Sequence, residues 1–92
     1  MNTTATSDDI RRFRENLQGE LDGISVYRAM SEAEKNPPLK VLYHKLAENE
    51  VKHAAVWKQK LRDAGVDPSR MGPSWRARVL RWAAGRFGAC NG

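Results

Sequence analysis

The chain has 92 residues, 40% of them apolar, and a net charge of +5; a single helical core of this size buries too little surface to be comfortable alone, so association is expected. Residues 1–67 carry eleven basic and eleven acidic side chains, whereas residues 68–92 carry Arg70, Arg76, Arg78, Arg81 and Arg86 and no acid. The excess charge is confined to the tail, so a nucleic-acid-binding body is not expected.

The first helix should open near Thr6 to Asp9, where Ser7 or Asp8 can cap and Asp8 and Asp9 complement the helix dipole. Ile10, Phe13, Leu17, Leu21, Ile24 and Tyr27 follow at steps of three and four, the stripe of a helix with one buried face. Asn36-Pro37-Pro38 ends it, because the residue before a proline is pushed out of helical geometry and proline lacks an N–H. Pro38 suits the first turn of a second helix, which carries Leu39, Tyr43, Leu46, Trp57 and Leu61 on one face and stops at Ala64-Gly65, with Gly65 left-handed. The two helices should run about 42 and 39 Å at 1.5 Å per residue, and a short connection between helices of matched length gives an antiparallel hairpin.

The expected organisation is a helical hairpin over 1–65, a linker over 66–74, and a basic amphipathic helix and tail over 75–92. Ser74 can cap that last helix, which should run from Trp75 to about Phe87, its end weakened by Gly85 and Gly88. No run approaches the roughly 20 apolar residues of a membrane span. Met1 to Asp9 is polar and unlike a signal peptide, so the cytoplasm is the expected compartment. Cys90 is the single cysteine and has no expected role.

Three residues break this pattern in a chemically meaningful way. Glu20 interrupts the apolar seam of the first helix, and Glu50 and His53 interrupt that of the second. An ionised carboxylate on an apolar seam is costly unless it is paired or binds a metal. Residues equidistant from the turn of an antiparallel hairpin lie side by side, and Glu20 precedes Asn36 by about as much as Glu50 and His53 follow it. Glu-x-x-His also places both side chains on one helical face. The plain alternative is an ordinary helix pair, Glu50 with His53, beside a Glu20 that sets register. As a ligand set the three favour iron, with manganese as the second choice, over calcium, because imidazole suits transition metals.

The segments Glu15-Asn16-Leu17-Gln18-Gly19-Glu20-Leu21-Asp22-Gly23, Tyr27-Arg28-Ala29, Ala33-Glu34, Leu46-Ala47-Glu48, Glu50 and His53-Ala54 to Trp57 resemble the rubrerythrin-like, ferritin-like domain that precedes vacuolar-iron-transporter-type membrane domains. The tail from Pro73 to Gly88 looks like the connector in that family, and the metal motif is similar to that of encapsulated ferritins, half-length chains that dimerise. The resemblance implies an all-α fold, half of a four-helix bundle whose di-iron site takes a Glu from each of two helices and a Glu-x-x-His from each of the others. The transporter-linked domains have a second helical pair that these residues lack. The expectation is a fragment of such a protein or a half-ferritin completed as a homodimer or higher homo-oligomer, with a transporter domain or an encapsulating shell as a further partner.

Around this centre, Tyr27 leans from the next turns back toward Glu20, either to hydrogen-bond a ligand and tune the site as a catalytic residue or simply to pack. Tyr43 leans away from Glu50, Trp57 forms a wall beside His53, and His44 is solvated. Asp22, Glu32, Glu34 and Glu48 read as a solvated acidic face, or as a route that concentrates Fe²⁺. The Arg-rich tail with Trp75, Val79, Leu80, Trp82 and Phe87 suits an anionic membrane surface at the inner face of the membrane, or docking on the partner subunit. The expected function is an iron-binding, ferroxidase-like module using O₂ or peroxide, for iron handling or detoxification. Glu50 or its mate would bridge two irons, with Glu20 and His53 as terminal ligands; the alternative is a non-catalytic module that senses iron or dimerises.

Overall fold

The computed structural model describes residues 5–90, with side chains through Arg86. Met1–Thr4 and the side chains of Phe87 and Cys90, named above, lie outside the described residues. The order is α1 (Ser7–Ala33), α2 (Pro37–Asp63) and α3 (Trp75–Cys90), with no strand among the described residues. The two long helices have 27 residues each and pack antiparallel, as their matched lengths led us to expect.

Each helix end has a local cause. The cap of α1 is Thr6, not Ser7 or Asp8: its hydroxyl accepts from the Asp9 N–H while the Asp9 carboxylate accepts from the Thr6 N–H, both at 3.0 Å. This reciprocal pair satisfies two backbone donors at once. Two reciprocal bonds from side chain to backbone carbonyl seal the hairpin turn. Lys40 Nζ donates to the Ser31 carbonyl at 2.6 Å and the Ser31 hydroxyl donates to the Lys40 carbonyl at 3.0 Å. Asn36 caps α2 by accepting from the Leu39 N–H, with Pro37 already in the first turn. At the far end Gly65 has φ of 82°, its N–H bonding Arg62 and that of Val66 bonding Leu61, the closure that only a left-handed residue permits cheaply.

The core is small. Leu17, Ala54 and Leu61 are buried at its centre, with Ile10, Phe13, Leu21, Ile24 and Trp57 packed around them. Phe13 and Trp57 meet at 6.0 Å between ring centres. Ala47 and Ala54 of α2 are also buried. Leu39, expected on the buried face, is 40% exposed, because near the turn the second helix presents that side to solvent.

The stretch 66–74, expected as a linker, packs back on the hairpin. Val66 and Met71 join the core and Pro68 is fully buried. Asp22, expected in a solvated acidic face, is half-buried and organises this segment. Its carboxylate accepts from the Ser74 N–H at 2.7 Å, the Ser74 hydroxyl at 2.8 Å and Gln18 at 3.0 Å, while Gln18 also donates to the Gly72 carbonyl. Ser74 in turn caps α3, as expected, accepting from the Ala77 N–H. The third helix therefore lies along α1, with its Ala77 buried, and it continues through Cys90, past the glycines expected to weaken its end.

Burial alone would raise the Asp22 pKa, but the hydrogen bonds from Ser74 and Gln18 outweigh it and hold the carboxyl below its ordinary value. A depressed carboxyl pKa contributes stability that is present above the unfolded value of about 3.9 and is lost as pH falls through the folded one. Hydrogen bonds to a charged acceptor contribute about 1.5–3 kcal/mol, less where water can substitute. Asp22→Ala is expected to lower unfolding stability by about 1–3 kcal/mol at neutral pH and to speed amide exchange around Ser74. In denaturant melts repeated at decreasing pH, the difference from wild type should shrink below the ordinary carboxylate range.

Candidate metal centre

Glu20 sits near the middle of α1, and Glu50 and His53 sit one turn apart on α2. The antiparallel pairing brings them to one level. One ligand atom from each of the three lies within 4.8 Å of the others. His53 Nδ1 is 3.6 Å from Glu20 Oε2 and 3.8 Å from Glu50 Oε1. These separations exceed a good hydrogen bond, yet they match the spacing of donors around one ion. With metal–ligand bonds of about 2.0–2.2 Å, neighbouring ligand atoms stand about 3–4 Å apart. Two carboxylates and one imidazole nitrogen are also a donor set that first-row transition metals accept. The residues present therefore fit a metal.

The carboxylates are recessed and the imidazole is at the rim: the side chains of Glu20 and Glu50 are 18% and 22% exposed, that of His53 51%. Glu50 holds its proton more tightly than an ordinary carboxyl. The Glu20 carboxylate, as hydrogen-bond partner for a shared proton, is the main cause, followed by burial and the Glu20 charge, while His53 works in the opposite direction. Where two carboxylates compete for one proton, a cation can take the proton's place.

Gly23 makes this geometry attainable, and reading the sequence did not single out its role. A methyl group at residue 23 would stand 2.8 Å from Glu50 Oε2. The missing side chain is the cradle in which the Glu50 carboxylate rests. The sequence signal was a glycine inside a helix, three residues after Glu20 on nearly the same face.

The surrounding residues sort by position. Tyr27 is half-buried, and no hydrogen bond joins it to Glu20, Glu50 or His53 among the described residues. Trp57 walls a shallow hollow next to Glu20 together with Glu15, Asn16 and Gly19. His44, Glu32 and Glu48 are exposed and Tyr43 is half-buried, while the Glu34 carboxylate accepts from the Asn36 N–H at the turn.

Gly23→Ala separates the cradle from the scaffold. The substitution favours the helix by about 1 kcal/mol, and the flexible Glu50 side chain can move aside, so apo stability should hold or rise. Displacing the carboxylate should weaken metal binding by about tenfold or more. Thermal melts with and without Fe²⁺ or Mn²⁺ are expected to show a smaller metal-induced stabilisation in the variant.

No curated protein and no solved structure matches the chain at a significant level. A family model does: Rubrerythrin matches residues 13–81, a stretch that includes all three clustered side chains, Gly23 and the clamp at Asp22. On this match over most of its length, joined to a helical hairpin with a carboxylate–imidazole cluster, the chain belongs to the rubrerythrin family.

Proposed function

We propose that the protein is an iron-binding, ferroxidase-like module whose di-iron centre forms between two copies of the chain. The observation that carries this reading is the convergence of Glu20, Glu50 and His53 at one level of the hairpin. One chain offers two carboxylates and one imidazole. Two chains related by a two-fold axis would offer four and two, the complement of a ferritin-like carboxylate centre.

The surface around the cluster supports a second copy as the occupant. Leu39, Leu42, Leu46, His53 and Val56 follow one another at helical spacing on α2, and Leu39, Leu42 and Val56 are exposed. An apolar stripe beside a half-open ligand cluster is stabilised by burial against an identical stripe.

Within the centre each residue has a role. Glu50, seated against Gly23, would be the carboxylate the two metals share, and Glu20 and His53 would each hold one of them. The exposed side of the imidazole is left to donate its second N–H to water or to the other copy, which would orient the ring. Tyr27, on the Glu20 side of α1, would tune the site once the bundle closes over it. Bound iron would supply the electrons that reduce O₂ or peroxide. The physiological role is iron handling or detoxification, delivering to a transporter domain or a storage shell.

Metal content and oligomer mass, measured together on wild type and on Glu20→Ala, test this reading. Wild type should bind two irons per dimer and develop a ferric absorption band in air faster than buffer iron does. Glu20→Ala should lose iron and, through the unbalanced interface, part of the dimer. Unchanged metal content and mass would overturn the proposed centre. Tight binding with oxidation no faster than buffer would leave a non-catalytic iron-sensing module.

A further inference from the structure

Helix α3 is packed the wrong way round for a helix that meets only water. Its side toward α1 carries Ala77, which is buried, and Ala84, half-buried one heptad on, with Arg81 and Gly85 beside Ala29 and Glu32 of α1. Its large apolar residues point outward instead. Trp75 is 69% exposed, Trp82 61%, Leu80 56% and Val79 52%. Trp75, Val79 and Trp82 form a stripe at steps of four and three, continued by Arg86. Contiguous exposed apolar stripes mark surfaces that something else covers.

Charge identifies the cover. Arg76, Arg78, Arg81 and Arg86 all lie on α3, and residues 68–92 contain no acid. Arg76 lies over the Trp75 ring at 5.6 Å and Arg86 over the Trp82 ring at 5.7 Å, so cation and aromatic are paired along the outer face. Guanidinium groups among tryptophans suit the boundary of an anionic bilayer, where indoles sit at headgroup depth and arginines reach the phosphates. A second copy would bring the same arginines against themselves. No helix among the described residues is long and apolar enough to cross a membrane, so α3 would lie in the surface plane.

We infer that the outer face of α3 binds anionic membrane surfaces. The placement is compatible with the metal centre. Gln18 and Asp22, which hold the start of α3, lie about half a turn around α1 from Glu20 at 100° per residue. Docking through α3 thus leaves the Glu20 side free, and the clamp at Asp22 fixes how the hairpin stands on the surface.

The test is sedimentation of the full chain with vesicles of phosphatidylcholine containing phosphatidylglycerol, beside pure phosphatidylcholine, at low salt. Binding is expected to the anionic vesicles only, with a blue shift of tryptophan emission, and is expected to fall steeply in about 0.5 M salt, where the screening length is well under 10 Å. Trp75→Ala/Trp82→Ala should abolish the shift while keeping helicity, since both rings are exposed and Trp57 remains as an internal control. Arg76→Gln/Arg78→Gln should weaken binding by about 25-fold, near fivefold per arginine. Glu20→Ala should bind vesicles like wild type, which keeps this test separate from that of the metal centre. The inference is overturned if wild type ignores anionic vesicles, binds neutral ones equally, or binds undiminished after the tryptophan substitutions. It is also overturned if the exposed face instead takes up a single-stranded oligonucleotide or drives self-association while vesicles go unbound.

Discussion

The close antiparallel contact of α1 with α2 is the constraint on which the remaining features rest. Small residues take part in it beside the large ones of the core: Ala47 and Ala54 are buried on α2, and Gly23 on α1 leaves room for the Glu50 carboxylate. Small side chains at a contact permit helix axes to approach, and across this one a ligand atom of Glu20, Glu50 and His53 each lies within 4.8 Å of the others. Larger residues at these positions would bury more surface and separate the ligands. Leu17 and Leu61 supply the apolar packing that the alanines do not.

Register matters as much as distance. The turn at Glu34–Asn36 is held by the Asn36 cap and by the two bonds exchanged between Ser31 and Lys40. A slip of one residue would rotate Glu50 and His53 by about 100° away from Glu20. Local polar bonds at one end of the hairpin thus secure ligand geometry about four turns away. This is possible because a helix transmits position rigidly along its axis.

Two acidic residues on α1 show how position decides chemistry. Glu20 and Asp22 are neighbours in sequence, yet they project to nearly opposite sides of the helix. Glu20 meets a second carboxylate and an imidazole, an arrangement suited to a cation. Asp22 meets the N–H and hydroxyl of Ser74 and the amide of Gln18, donors that satisfy its charge without any ion. One is consistent with a metal ligand, and the other is a clamp for α3. The helix thereby separates a candidate chemical face from the side that holds α3 with its exposed tryptophans and arginines.

The helices, their turn and the convergence of Glu20, Glu50 and His53 were legible from the sequence alone. Periodicity, proline placement and distance from the turn are local quantities, and an antiparallel hairpin converts them directly into geometry. The left-handed Gly65 and the Ser74 cap were legible for the same reason, since each acts within a few residues of its own position. The role of Gly23, the capture of Ser74 by Asp22 and the outward turn of Trp75 and Trp82 depended on the tertiary structure. Each depends on which segment lies across from a residue more than 25 positions away in the chain or on how a helix is rotated against its neighbour. Composition and spacing do not encode that rotation; it emerges only when the segments compete for the same buried surface.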